Sequence, residues 1–307
     1  MEVTAVFWII FAVAVGVCIA LDLFVFHREA HEMRSREALG WAFIWIALAA
    51  LFNLGVYFWH GKPRAIEFLA VYLVELSLSV DNLFVFLVIF TYFRVPAAYQ
   101  HRVLFWGVVG ALVMRALFIM AGLTLLKLFH WMVYVFGVVL ILTGLRLVLK
   151  PSEEVEIERN LVLRLARRVL PLLPEYRGQH FFVRWHGRLM ATPLFVTLLL
   201  VESTDLLFAL DSVPAALAIS QDPFVVYTAN ALAVLGLRSF YFVLSGFIGT
   251  LAYLHYGLSL ILAFIGVKML LSPVYKIPTE WSLGGIAIVL GITIALSLLL
   301  PPKETKQ

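Results

Sequence analysis

Apolar residues fill this chain in long blocks, not in the short alternations of a soluble protein, and clusters of polar residues separate the blocks. Near-continuous apolar runs occupy 3–26, 38–58, 67–93, 102–126, 129–149, 191–219, 224–251, 255–272 and 281–300. A membrane-crossing helix needs about 20 mostly apolar residues, so the pattern predicts an all-α membrane protein with about nine transmembrane helices. The first run is too long for a cleaved signal peptide and lacks a basic leader, since only Met1 and Glu2 precede it; it is read as a retained helix.

Only the stretch 150–190 breaks the pattern at length. Within it Ile157, Leu161, Leu165 and Val169 recur at helical spacing, interleaved with Arg164, Arg167 and Arg168. That arrangement predicts a basic amphipathic helix on a membrane surface. Beyond Pro171 and Pro174, the segment 180–188 reads as a hairpin turning near Gly187. The whole of 1–307 is one transmembrane domain on this reading, with 150–190 its cytoplasmic loop.

Composition narrows the class. Of 307 residues 63% are hydrophobic and 14% charged, against about 45–50% and 25% in soluble domains. A soluble enzyme, a nucleic-acid binder and a disordered protein are excluded, because the excess apolar surface must face lipid. The single cysteine, Cys18, allows neither an internal disulfide nor a thiolate metal cluster. Lys and Arg concentrate in the loops 27–37, 94–102 and 150–190 and in the tail, while the opposite side receives only Lys62, Arg64, Lys127 and Lys276. By the positive-inside rule the N-terminus lies outside and the C-terminus in the cytoplasm.

An internal repeat emerges from the polar positions. Glu75 to Asn82 matches Asp205 to Ser212 without a gap, with Glu75 aligned to Asp205 and Asp81 to Asp211. The segment Gly110 to Arg115 has a counterpart in Gly236 to Arg238, and Gly144 and Arg146 have theirs in Gly266 and Lys268. Spans 3–5 therefore resemble spans 6–8. An offset of three spans forces the two units across the membrane in opposite directions, the inverted repeat of secondary transporters, whose sites lie near mid-bilayer.

The chemistry lies where the acids are. Glu75 and Asp81 in the third span, with Glu202, Asp205 and Asp211 in the sixth, are carboxylates deep in apolar helices. Each costs about 2.5–3.5 kcal/mol at a span centre, so five cost about 12–18 kcal/mol, comparable to the stability of a whole fold. Arg115 and Arg238 neutralise two at most. A hard divalent cation held by oxygen ligands fits the remainder, with Asn82, Ser79 and Ser212 beside the acids; Mn²⁺, Ca²⁺ and Mg²⁺ suit such a set better than Cu⁺ or Zn²⁺. On one ideal helix Asp81 and Asp211 point about 120° away from Glu75 and Asp205. Either they meet a different neighbour or the helix breaks between the acids, and Pro214 predicts a break in the sixth span. Asp22 and Glu67 read as interfacial, and Asn53 and Asn230 as buried polar residues that could join helices or line a path. Trp59, Trp131 and Trp281 read as an interfacial belt.

At these residues the chain resembles the TerC family of integral membrane proteins. The stretches Val74 to Phe86 and Val201 to Pro214 are similar to its two acidic signatures, and Asn230 to Tyr241 is similar to a further family segment. The resemblance implies export of Mn²⁺ from the bacterial cytoplasm, membership of the LysE transporter superfamily, and a place in the inner membrane. Mn²⁺ is then the transported substrate. With no nucleotide-binding motif, proton antiport through the same carboxylates is the expected energy source. The alternatives are a membrane scaffold or assembly factor, and an exporter of another cation or of an organic solute. An enzyme is the least expected outcome, since no nucleophile and base stand together.

Overall fold

The computed structural model describes residues 5–21, 35–149, 161–185, 187–245, 253–272, 274–275 and 277–299, and of Asp81 the backbone alone. Among them run ten helices and one hairpin: α1 (Ala5–Leu21), α2 (Ser35–His60), α3 (Lys62–Tyr92), α4 (Ala97–Leu128), α5 (Met132–Leu149), α6 (Leu161–Val169), β1 (Phe182–Trp185), β2 (Arg188–Ala191), α7 (Pro193–Ile219), α8 (Pro223–Ser245), α9 (Leu254–Leu271) and α10 (Thr279–Leu299). Six are long and apolar enough to cross a membrane: Glu37–His60, Ala97–Leu128, Met132–Leu149, Pro193–Ile219, Pro223–Ser245 and Thr279–Ser297. Two further apolar stretches, Ala5–Ile19 and His255–Leu271, are shorter. The 31-residue α3 carries Glu67, Glu75 and Asp81.

Local chemistry sets where the helices start. Gly61 has φ 87°, a turn that side chains resist, and Pro63 follows in the first turn of α3. Proline also opens α7, at Pro193, and α8, at Pro223, where its missing N–H costs nothing. Asp222 caps α8, its Oδ1 accepting from the N–H groups of Phe224 at 3.0 Å and Val225 at 3.3 Å. Pro214 does not break α7, which is continuous from Pro193 to Ile219. The predicted interruption is absent because neighbouring helices bury this stretch, including Ser212, Val213, Pro214 and Ala215; packing holds a proline that would end an isolated helix.

The central helix is α8, buried along most of its length and packed against α2, α3 and α4. Around it, α3 lies on α7 and α8, and α4 lies on the same two helices. The most intimate pair is α5 and α9. They run antiparallel, Gly144 lying against Ser259 and Ala263 while Gly137 lies against Gly266 and Leu270. Ser259 Oγ donates to the Gly144 carbonyl at 2.5 Å. Side chains such as Phe43, Phe58, Leu117, Met120, Leu142 and Trp281 point outward and exposed, the apolar coat that lipid requires.

Helix α6 packs against α7 and leaves its predicted apolar side outward. Leu163 and Ala166 are buried against α7, whereas Leu165 and Val169 are exposed; Ile157 lies outside the described residues. The strands pair antiparallel, Phe182 opposite Ala191 and Trp185 opposite Arg188, and Gly187 in the turn has φ 79°.

Candidate functional site

Two apolar cores lie along the bundle. One gathers Val71, Val74, Ala209, Val213 and Leu232 among others; the second gathers Leu83, Phe86, Val196, Val201 and Leu237. Between them the packing turns polar, along α3 from Glu75 to Asn82 and along α7 from Glu202 to Asp205. The acids therefore sit in a polar layer closed by apolar side chains toward both ends of the helices.

Arg115 of α4 is the hub of that layer. Its Nη1 donates to Glu75 Oε2 at 2.5 Å and to Asn230 Oδ1 at 3.1 Å, and reaches Ser212 Oγ at 3.5 Å. Its Nη2 donates to Asp205 Oδ1 at 3.4 Å. One guanidinium thus joins α3, α4, α7 and α8, with Glu75 0%, Arg115 2% and Asp205 4% exposed. At that burial one fixed positive charge offsets only one of the two carboxylates, so the other must carry a proton or meet a further cation. Several polar atoms of this layer are buried without a hydrogen-bond partner: the oxygens Glu75 Oε1, Asp205 Oδ2 and Ser79 Oγ, and the donors Arg115 Nε and Asn230 Nδ2. Oxygens of this kind are what a hard cation coordinates.

The remaining predicted residues are distributed around this hub. Asn82 and Ser212 are buried beside the acids of their own helices. Glu202, half-buried, presses its carboxylate onto Gly110 of α4, where a β-carbon would overlap it. Asp211 turns to another neighbour, Oδ1 accepting from Thr143 Oγ1 of α5 at 2.8 Å. The angular offset between the acids is therefore met by a second helix, with α7 unbroken. Asp81 lies on α3, its side chain outside the described part. Arg238 Nη1 meets His101 Nε2 at 2.9 Å. That contact puts Arg238 beside the first turns of α4. Among the described residues, no three Asp, Glu, His or Cys side chains are already gathered as a metal site; Arg115 bridges Glu75 and Asp205.

Three participants escaped the sequence reading. Thr143 looks like an ordinary helix threonine, though it adjoins the repeated Gly144. Gly110 was visible in the repeat, but not its partner. The third is a charged seam where α3 and α8 begin and α7 ends: Arg64 pairs with Asp222 at 3.1 Å, and Ser220 Oγ donates to Glu67 Oε2 at 2.6 Å. Nearby Lys268 Nζ donates to Ser282 Oγ at 2.8 Å. Glu67 is thus tied to the end of α7, and Asp22 lies outside the described residues.

The sequence pattern of the integral membrane protein TerC family matches residues 60–305. An uncharacterised membrane protein of Myxococcus xanthus is 50% identical over 292 residues, covering 95% of this chain and 92% of its own length. A Salmonella typhi protein whose name proposes a membrane-bound redox modulator, Alx, is 43% identical over 304 residues, covering 96% and 94%. Its namesake in Escherichia coli K12 is 41% identical over 314 residues, covering 99% and 98%. No solved structure matches the chain.

Proposed function

The chain belongs to the TerC family of integral membrane proteins, and from that premise we propose that it exports a divalent cation, Mn²⁺ first, through the polar layer around Glu75 and Asp205. The observation that carries this reading is the buried, half-neutralised carboxylate pair. Two acids from different helices meet at one arginine and keep an unpartnered oxygen each. A structural ion pair has no use for a residual negative charge, whereas a cation path needs one.

The same proposal includes a nine-span bundle with α3–α5 and α7–α9 as inverted repeats, lying in the bacterial inner membrane with the N-terminus outside. The α5–α9 contact supports the inversion. Gly144 approaches Ser259 O and Ala263 N, and Gly266 approaches Gly137 O and Ile141 N. With Gly144 equivalent to Gly266, Gly137 becomes equivalent to Ser259 and Ile141 to Ala263, so each contact maps onto the other. Two equivalent helices that pack antiparallel by mutual exchange are related by an axis perpendicular to both, as an inverted repeat requires.

In mechanism, Glu75 and Asp205 supply the first oxygens to the cation, with Ser79 and Asn82 on the same stretch of α3. Asp81, Glu202 and Asp211 complete or flank the path. The apolar cores on either side exclude water, so exchange with each compartment requires the helices to part on one side at a time. Protons are the proposed counter-ion, because a carboxylate that releases the cation can take one up. Relatives bear a redox name; this chain, with Cys18 alone, closes no internal disulfide, so a redox influence would come through the ion moved. The scaffold alternative draws on the same hub, since Arg115 also ties four helices together.

The test is flux. Purified protein in proteoliposomes with a Mn²⁺-sensitive dye should move Mn²⁺ down an imposed gradient, Glu75→Gln should abolish it, and Mg²⁺ and Ca²⁺ should compete. Folded wild type that moves none of the three ions would overturn the cation reading.

A further inference from the structure

We propose that Arg115 is the resident counter-ion of the site, releasing Glu75 and Asp205 to the arriving cation and passing to Glu202 as it does so. The inference rests on the cation reading above and concerns how the same site is held closed and how its charge stays balanced.

The geometry gives three reasons. Arg115 occupies one oxygen of each acid, at 2.5 Å on Glu75 and 3.4 Å on Asp205, and spreads the two carboxylates across the width of a guanidinium. A divalent cation holds its oxygens at about 2.0–2.6 Å and must draw the carboxylates closer together than the arginine allows. Cation and arginine therefore compete for the pair.

Charge is the second reason. Cation, Arg115 and two carboxylates together carry one positive charge too many for a buried layer. Adding Glu202 brings the count to zero. An arginine cannot resolve the excess by losing its proton, so it must find another acid.

The third reason is position. Glu202 stands on the turn of α7 before Asp205, and its carboxylate lies against Gly110, on the helix that carries Arg115. Glu202 and Asp205, three residues apart on α7, share one face, so Glu202 is the next acid along the helix from the one Arg115 already holds. The glycine leaves room there for a carboxylate, and the described bonds of Arg115 go to Glu75, Asp205, Ser212 and Asn230. Asn230 and Ser212 are uncharged acceptors that can retain the guanidinium during the transfer.

The experiment is a double-mutant cycle on the full chain in lipid nanodiscs, with Mn²⁺ binding read by electron paramagnetic resonance and folding by size exclusion. Arg115→Gln should bind Mn²⁺ at least about tenfold more tightly, because the competitor is gone. Glu202→Gln alone should weaken binding by about tenfold, and in the Arg115→Gln background it should change affinity by less than about threefold, the mark of coupled residues. If Arg115→Gln does not fold, Arg115→Lys takes its place. Losing the planar fork, it should still bind more tightly than wild type. An arginine variant that binds as wild type does, or more weakly, overturns the proposal. So does a Glu202 effect that persists undiminished without the arginine, since Glu202 would then be a direct ligand. Wild type that binds no Mn²⁺ refutes the cation reading itself, a different outcome from either.

Discussion

Gly110 lies directly against the Glu202 carboxylate, with the two so close that a β-carbon at Gly110 would occupy the space of the carboxylate oxygens. The contact crosses from α4 to α7 and fixes where an acid on an apolar helix can rest. At Gly107, one turn earlier, a β-carbon would meet only a methyl of Val201, at 3.2 Å.

Gly110→Ala should therefore displace Glu202 and cut Mn²⁺ flux at least about fivefold, while overpacking costs about 1–3 kcal/mol. Gly107→Ala is the control and should keep most of the flux. Proteoliposome transport with thermal melts of both variants checks this; equal loss in the two would mean that generic overpacking, not Glu202, is responsible.

Gly144→Ala and Gly266→Ala should destabilise the bundle to similar extents, about 1–3 kcal/mol each. At both sites the added carbon meets backbone, Ser259 O at 2.8 Å and Gly137 O at 2.7 Å, which cannot rotate away. Gly291, with open space around it, should tolerate alanine, because alanine favours a helix. Denaturation of the three variants in detergent measures the differences.

Neutralising the acids should rank them. Glu75→Gln removes the shorter bond and the more deeply buried partner of Arg115, so it should lower stability more than Asp205→Asn. Breaking a buried pair costs about 3–5 kcal/mol, and here the second acid reduces that loss. Both variants should lose Mn²⁺ binding. Melting and binding on the same preparations decide the order, and a larger loss for Asp205→Asn would contradict it.

Mn²⁺ affinity should fall as pH drops from about 8.5 to 5.5, because carboxylates bind metal only when deprotonated and binding then releases protons. Asp211→Asn should flatten that dependence, and Thr143→Val, which removes the hydroxyl bonded to Asp211, should alter it without abolishing binding. Titration of bound Mn²⁺ against pH tests this; a flat profile in wild type would rule out proton coupling through these acids.

Membrane residence and helical class were legible in the sequence because they depend on summed apolar length, a one-dimensional quantity. So were the acidic positions, since a carboxylate in an apolar run is costly wherever the helix goes. The pairing of gapless segments made the two acidic helices comparable before any packing was known.

Tertiary structure alone decided which acid meets which base. Arg115 and Arg238 look alike along the chain; packing brings Arg115 to Glu75 and Asp205 and sets His101 beside Arg238. It also decided that α7 passes through Pro214 unbroken, the stretch from Ser212 to Leu217 being buried among its neighbours. It also set which side of α6 meets α7, burying Leu163 and Ala166 while Leu165 and Val169 stay exposed. The common reason is that spacing along a helix fixes which residues share a face, while only contact with another helix fixes what that face meets.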